Sequence, residues 1–394
     1  MNNGRTRNSG LSRLYRRVIR LHSAAPFHFV PSGHAFPPWH YFFEVTRRCN
    51  LRCRMCQYKD WFDRHAAGDL IDEELTTREW IDLIDQTGRF SLITFTGGEP
   101  WVRSDFLELL EHASRKRRTH FITNGLLVTE ERAARCVELA PKRISGKGLC
   151  FVGVSIDGTR EVHDAIRGRE GAFDESLEAI RLLSRYRREQ GKGCPLIHVT
   201  AVIQNDNLDA LPALPAILSE AGADALNLTM EIRFPGLEGL GETDPEAFCA
   251  FAEDLPTINP LRLEKALVRT RDACTEAGLE LRLPNMPQRE IIRYHNGGLN
   301  LDHFTCREVW TNLYVGAAGD VYPCFIYKVG NVREHSMRSL WNSPQMRAFR
   351  KRLKEAPFCI CQGCCHLEYV GRRDIPRAPA AGVQDRAGNR DADA

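Results

Sequence analysis

The sequence predicts an α/β protein built on a partial (β/α)6 TIM-type barrel, followed by a small cysteine-rich domain near the C-terminus. From residue 41 onwards, strand-like and helix-like segments alternate six times without long gaps, a pattern typical of a parallel sheet covered by helices. Six such units are two short of a closed eightfold barrel, so the barrel is expected to stay open on one side. Six of the fourteen cysteines then lie between residues 306 and 365.

The six predicted strands are short runs rich in β-branched and aromatic residues, as strands of a buried sheet require. They are Tyr41–Thr46, Ser91–Thr96, Thr119–Thr123, Cys150–Ile156, Ile197–Ile203 and Ala225–Ile232.

The helices between them are predicted from apolar residues that recur at helical spacing. In the second helix, one face carries Phe106, Leu109, Leu110 and Ala113, and Ser104 is the predicted N-cap. The predicted helices are Thr77–Asp85, Asp105–Arg115, Glu130–Leu139, Asp174–Arg187 and Leu208–Glu220.

Composition divides the chain into five predicted parts. A basic amphipathic helix is predicted around residues 11–20, where it could lie on an anionic membrane or a partner, or pack over one end of the barrel. The last part is rich in Arg, Asp, Ala, Gly and Pro and is predicted to be disordered. The parts are a basic N-terminal extension (1–40), the barrel core (41–235), a helical linker (236–300), the cysteine-rich domain (301–370) and the tail (371–394).

The overall charge and hydropathy exclude several classes of protein. A net charge of +3 is too small to indicate nucleic-acid binding. The sequence contains no apolar run of the about 20 residues that a transmembrane helix needs, and no secretory signal. Because the cysteines are clustered in a long chain without a signal, they indicate metal binding rather than disulfides, and a cytoplasmic location is predicted.

The first cysteine cluster is Cys49, Cys53 and Cys56, which follows the first predicted strand with the spacing CxxxCxxC. Three thiolates can hold three irons of a cubane and leave the fourth iron open for another ligand. A zinc site, structural cysteines, or a cluster with a fourth cysteine from elsewhere are the alternatives to this interpretation.

Polar residues follow the next strands, at the edge of a parallel barrel where ligands bind. The second strand ends in Gly-Gly-Glu-Pro at residues 97–100, and the third in Thr-Asn-Gly at 123–125. The fourth ends in Ser-Ile-Asp-Gly at 155–158, followed by His-Asp-Ala-Ile-Arg-Gly at 163–168. Together with the cysteine spacing, these motifs resemble the radical S-adenosylmethionine (SAM) superfamily over roughly residues 41–232.

The resemblance implies a [4Fe-4S] cluster on the three cysteines and a bound SAM. It implies that the GGEP segment, with Gly97, Gly98, Glu99 and Pro100, binds the methionine ammonium group. Ser155 and Arg167 would contact the ribose and the methionine carboxylate, and Asn124 would lie near them. Met55 stands where the family usually has an aromatic residue, and it would pack against the adenine. Ordinary turn chemistry explains Asn124 and Asp157 equally well.

The second cysteine cluster begins with Cys306 and Cys324, which a hairpin turn around Gly319 would bring together. With Cys361 and Cys364 it resembles the SPASM domain or the shorter twitch domain. That resemblance implies one auxiliary [4Fe-4S] cluster on these four cysteines, because two cubanes would need eight. Cys359 or Cys365 could replace one ligand, and a tetrahedral zinc site on the same four residues is the alternative.

The family resemblance implies reductive cleavage of SAM to a 5′-deoxyadenosyl radical, which abstracts a hydrogen atom from a substrate. Oxidation or epimerisation would follow, with flavodoxin or ferredoxin as electron donor, and the sequence identifies no residue for that later step. A small polar substrate is expected, because only about 40 residues precede the first strand, whereas peptide-modifying relatives often carry a larger N-terminal module. A peptide-modifying maturase is the alternative, and an iron–sulfur electron carrier is the non-enzymatic one.

Overall fold

The computed structural model describes residues 18, 21–59, 73–143, 146–232, 257–324 and 327–371. The basic helix predicted around residues 11–20 and the predicted tail lie outside these residues, except for Val18 and Gly371.

The centre of the fold is a partial barrel of parallel strands, as the sequence predicted. Consecutive strands β1 to β6 pair in parallel, and each lies within two residues of its predicted bounds. The strands are β1 His40–Thr46, β2 Leu92–Gly97, β3 Arg118–Thr123, β4 Gly148–Ser155, β5 Leu196–Ile203 and β6 Ala225–Met230.

Helices follow these strands and cover the outer face of the sheet. In β1, Tyr41, Phe43 and Val45 are buried on this outer face, and the Phe43 ring lies 5.3 Å from that of Trp80 on α1. The helices are α1 Thr77–Gln86, α2 Phe106–Lys116, α3 Glu130–Leu139, α4 Arg160–Arg167, α5 Ala172–Glu189, α6 Leu214–Ala221, α7 Pro260–Glu276 and α8 Gln288–Tyr294.

Helix α2 has the buried face that the sequence predicted, since Phe106, Leu109, Leu110 and Ala113 are all fully buried. Its predicted N-cap is wrong. The helix begins one residue later, after Asp105, whose carboxylate binds Arg103 and Thr77 instead of capping the helix.

The late region continues the same sheet, which the sequence did not predict. Strand β9 (Asn312–Val315) pairs in parallel with β1, and β10 (Asp320–Tyr322) and β11 (Gly330–Asn331) extend that edge. Strand β7 (Glu280–Arg282) pairs in parallel with β6 at the other edge. The sheet order is therefore β11-β10-β9-β1-β2-β3-β4-β5-β6-β7.

The remaining elements of the late region carry its cysteines. Strand β8 (Phe304–Thr305) pairs with β12 (Glu368–Tyr369), next to Cys306 at one end and the last cysteines at the other. Between the two pairs of late cysteines lie two helices, α9 Met337–Trp341 and α10 Pro344–Glu355, separated by Asn342 and Ser343. The division of the chain into five parts stays a prediction.

Candidate iron–sulfur and SAM site

The three early cysteines lie on the loop that follows β1, at the carboxyl edge of the barrel. Cys53 is buried, and Cys49 and Cys56 are half-buried. The amide of Cys56 donates to the carbonyl of Cys53 (3.1 Å), and the amide of Arg54 donates to the carbonyl of Ile166 on α4 (3.0 Å). The loop is therefore a tight turn pinned to α4, and Met55 lies half-buried within it.

The glycines of the GGEP segment let two stretches of backbone touch. The amide of Gly98 donates to the carbonyl of Thr46 (2.8 Å), and that of Glu99 donates to the carbonyl of Arg48 (2.9 Å). A Cβ atom on Gly98 would lie 2.1 Å from the Arg48 carbonyl oxygen, and one on Gly97 2.1 Å from that of Thr46. The close packing of the cysteine loop against this segment therefore requires both glycines.

Glu99 is almost fully buried and holds the ends of β2 and β3 together. Its Oε1 accepts hydrogen bonds from Thr123 Oγ1 (2.8 Å) and the Trp101 amide (3.3 Å), and its Oε2 accepts from the Asn124 amide (2.7 Å). Burial raises the pKa of this carboxyl to about 7, although the hydrogen bonds oppose the rise. Both oxygens are thus engaged within the protein, and their contact with the methionine ammonium group stays a prediction. Pro100 opens the 3-10 turn Pro100–Val102 that follows.

Asn124 connects the end of β3 to the cysteine loop. Its Nδ2 donates to Asn50 Oδ1 (2.8 Å), and its Oδ1 accepts from the Leu126 amide (3.0 Å). Asn50 lies inside the CxxxC spacing, and sequence reasoning missed it, although a polar residue between two ligand cysteines is a usable signal. Asn124 therefore stabilises both the turn after β3 and the cysteine loop.

Ser155 precedes the turn at Asp157 in the chain, and Arg167 follows it at the end of α4. Ser155 ends β4, half-buried and level with Thr200 on β5. The Arg167 guanidinium binds Asp157 Oδ2 through Nε (2.8 Å) and Nη2 (2.6 Å), and its Nη1 donates to Cys53 Sγ (3.6 Å). The structure thus brings Arg167 to a cluster cysteine, and its contact with the methionine carboxylate stays a prediction.

The three thiols have the chemistry of cluster ligands. Burial raises the pKa of Cys49 to about 12, and the charges of Glu99, Cys53 and Cys56 add to the rise. Three neighbouring thiolates therefore need cations beside them, which the irons of a cubane would supply. In the described part of the chain, no three His, Cys, Asp or Glu side chains converge as a single metal ion requires. Three thiolates on one loop suit a cubane, because each thiolate of a cubane binds a different iron.

Four of the late cysteines line one cavity. All four predicted ligands line it, namely Cys306, Cys324, Cys361 and Cys364. Aromatic and aliphatic side chains form much of the remaining wall, including Tyr314, Phe349, Leu353, Phe358 and Ile360. Four thiols around a mostly apolar space fit a fully ligated cluster.

The two spare cysteines differ from these four. Cys365 is hydrogen-bonded to His366 and to Thr229 on β6, and so its side chain lies towards the barrel. Cys359, which begins the 3-10 turn Cys359–Gly363, is disulfide-bonded, whereas the four cysteines that line the cavity are free thiols. This arrangement supports the four-cysteine assignment.

Sequence reasoning missed a group of histidines inside the barrel, because lone histidines on separate strands form no motif. The group, called here the lumen histidines, is His40 on β1, His120 on β3 and His198 on β5. Thr94 Oγ1 bonds both His40 Nε2 (2.7 Å) and His120 Nδ1 (3.0 Å), and the His120 and His198 rings are 5.0 Å apart. Burial lowers the pKa of His40 to about 3 and that of His198 to about 4. His40 and His198 are therefore uncharged at neutral pH.

We expect His198→Asn to flatten the pH dependence of stability. An unfolded histidine gains a proton near pH 6.5, whereas folded His198 gains one only near pH 4. The stability that neutral His198 contributes to the folded protein is therefore fully present above pH 6.5 and is lost as the pH falls towards 4. Between pH 6.5 and 5 the wild-type protein should lose about 2 kcal/mol more than the variant. Urea unfolding at both pH values measures this, with the exposed His335→Asn as control; equal losses in all three proteins would contradict it.

Two family models match the chain. Residues 43–214 match the Radical SAM superfamily, and residues 306–365 match SPASM, an iron–sulfur cluster-binding domain. These ranges contain the two groups of cysteines described above.

Curated relatives include enzymes of two kinds. The chain is 36% identical to the Fe-coproporphyrin III synthase of Methanosarcina barkeri over 45% of its own length, but this match spans only 40% of that protein. It is 25% identical to the AdoMet-dependent heme synthase of Nitratidesulfovibrio vulgaris over 82% of its own length and 85% of the relative. It is 32% identical to the PqqA peptide cyclase of Bradyrhizobium diazoefficiens over 47% and 44% of the two chains.

The fold is also similar to that of a solved structure. Streptococcus suis SuiB bound to S-adenosylmethionine superposes with a TM-score of 0.59 and 15% identity, covering 87% of this chain and 74% of that one. At this identity the likeness concerns the fold alone. Among the described residues, the helices are all too short or too polar to cross a membrane.

Proposed function

The chain joins a Radical SAM superfamily domain to an SPASM domain, and from that premise we propose that it abstracts a hydrogen atom from a small polar substrate. Its cofactors are a [4Fe-4S] cluster with SAM, and auxiliary iron–sulfur chemistry in the SPASM domain. When bound, the reduced cluster supplies one electron to the sulfonium of SAM, which yields methionine and a 5′-deoxyadenosyl radical. Substrate oxidation or epimerisation then follows.

The observation that carries this proposal is the position of the cysteine loop. Three thiols lie at the carboxyl edge of the barrel, and the GGEP backbone packs directly against their loop. Three thiolates on four irons leave one iron for SAM. The polar groups of the same edge would then hold the rest of SAM, with Ser155 at the ribose or carboxylate, and Met55 beside the adenine.

The remaining residues of this edge fix that arrangement. Glu99 and Asn124 join β2, β3 and the cysteine loop into one hydrogen-bonded unit, which would keep the residues that hold the cluster and those that hold SAM in a fixed relative position. This matters because a radical reacts with the C–H bond that is held against it, and a loosely held substrate would allow side reactions.

In the SPASM domain, the four cysteines of the cavity would hold one auxiliary cubane. If the substrate radical is oxidised, this cluster is a suitable electron acceptor, and flavodoxin or ferredoxin would supply the first electron. Because a cubane takes four ligands and four cysteines line the cavity, a single auxiliary cluster accounts for them.

The barrel interior supports a small polar substrate. Three buried atoms on its strands make no hydrogen bond within the described residues: His120 Nε2, His198 Nδ1 and Asn227 Oδ1. An unpaired buried polar atom costs about 1–3 kcal/mol, so a polar ligand that pairs with it binds favourably. Although a tetrapyrrole is larger than the small polar substrate proposed here, the heme synthase match covers most of both chains and makes a tetrapyrrole the first non-peptide substrate to test.

A peptide is the second candidate, and the match to the PqqA peptide cyclase favours it. That match covers less than half of this chain, and so it supports the shared SAM chemistry more directly than the substrate. A pure electron carrier would need neither the GGEP segment nor Ser155 and Arg167.

The test is anaerobic turnover with dithionite and SAM. We expect 5′-deoxyadenosine from the reconstituted protein, with a faster rate and a changed substrate mass when Fe-coproporphyrin III is added. A precursor peptide encoded beside the gene is the parallel arm, and acceleration by the peptide alone would select the maturase. Failure to form any 5′-deoxyadenosine would leave only the electron carrier.

A further inference from the structure

The guanidinium of Arg167 has three nitrogens, and the structure accounts for all of them. Nε and Nη2 bind one oxygen of Asp157, at 2.8 and 2.6 Å, and Nη1 donates to Cys53 Sγ at 3.6 Å. Arg167 is 8% exposed and Asp157 is fully buried. Such a buried pair is rigid, because separating it would leave an uncompensated charge.

Asp157 is itself fixed from three sides. Its Oδ1 accepts from the Val202 amide on β5 (3.0 Å), and its own amide donates to His163 Nδ1 on α4 (3.1 Å). Its carbonyl accepts from Asn207 Nδ2 (2.8 Å). Asp157 therefore holds the Arg167 guanidinium within hydrogen-bond distance of the Cys53 sulfur.

The backbone of the cysteine loop is attached to the same helix end. Arg54 donates its amide to the Ile166 carbonyl, one residue before Arg167 (3.0 Å). Gly168, in the left-handed conformation with φ of 69°, ends α4 where a Cβ atom would lie 3.3 Å from the Arg52 carbonyl oxygen. Side chain and backbone thus position Cys53 together.

Hydrogen bonds to the cysteine sulfurs help to set the reduction potential of an iron–sulfur cluster. A cationic donor draws electron density from the thiolate and stabilises the reduced cluster. We propose that Arg167, held by Asp157, is a positioning residue for Cys53 and raises the reduction potential of the cluster that receives SAM. The inference rests on the proposed function, because it requires a cluster on Cys49, Cys53 and Cys56.

The test is an EPR-monitored redox titration of the anaerobically reconstituted full chain, following the signal that changes when SAM is added. We expect a lower potential in Arg167→Gln and a smaller decrease in Arg167→Lys, which keeps the charge but loses the planar fork. Arg187→Lys is the matched control. Arg187 pairs with Asp224 (2.5 Å), which lies just before β6, at the amino end of the barrel strands. The reduction potential of this variant should equal that of the wild type.

Iron content and SAM affinity separate the outcomes. If the Arg167 variants lose about four irons and keep the signal of the auxiliary cluster, this result also supports the positioning of Cys53 by Arg167. Unchanged potential and iron content in both variants would overturn the inference, and a weakened SAM affinity with unchanged potential would assign Arg167 to the methionine carboxylate instead. A wild-type protein without a SAM-sensitive signal would contradict the proposed function itself.

Discussion

Replacing Cys49, Cys53 and Cys56 together with alanine should abolish reductive cleavage of SAM and leave about half of the iron. The reconstituted wild type should hold two cubanes, roughly eight irons, and the triple variant roughly four. The reason is geometric: the early loop and the late cavity draw on separate cysteines, so the auxiliary cluster does not depend on the early loop for its ligands. Iron analysis and chromatographic detection of 5′-deoxyadenosine are the measurements.

Two further variants make this result specific. Cys361→Ala with Cys364→Ala should lose the other four irons, roughly, and still cleave SAM. Cys136→Ala is the neutral control, because Cys136 is buried on α3 away from both groups. If the triple variant still formed 5′-deoxyadenosine with dithionite, the early loop would not hold the cluster that cleaves SAM.

The strands and the two groups of cysteines were predictable from sequence because both depend on local patterns. Short runs of β-branched and aromatic residues predicted β1 to β6 within a few residues, and the cysteine spacing predicted the loop of Cys49 to Cys56. The four late cysteines predicted as ligands line one cavity, and their role as cluster ligands stays a prediction. In each case the signal lies within a few neighbouring residues.

What the sequence could not predict depends on contacts between distant segments. Strand β9 pairs with β1 across some 270 residues, and no periodicity reveals such a pairing. The lumen histidines come together only because three strands turn their alternate side chains inward. Arg167 shows the same limit. The motif indicated that Arg167 is important, but only the fold shows that its side chain contacts Cys53 at the carboxyl edge of the barrel.

The GGEP segment leads to the second strong prediction, that Gly98→Ala will displace the cysteine loop. The added Cβ atom would lie 2.1 Å from the Arg48 carbonyl oxygen and 2.7 Å from that of Arg47. Both contacts are with backbone, so no side chain can rotate away. The two segments would have to separate, which breaks the hydrogen bonds from the Gly98 and Glu99 amides. Overpacking and two lost hydrogen bonds together should cost about 3–5 kcal/mol of unfolding free energy.

The same variant should lose the cluster on the early loop and keep the auxiliary one, because the displaced loop no longer holds its thiols at cluster spacing. We expect roughly four irons, no cleavage of SAM, and a lower urea midpoint. Gly298→Ala is the matched control, since the nearest atom to its Cβ would be the Arg293 carbonyl oxygen at 3.8 Å. Should Gly98→Ala retain the full iron content and normal SAM cleavage, close packing of these two loops would not be what positions the cluster ligands.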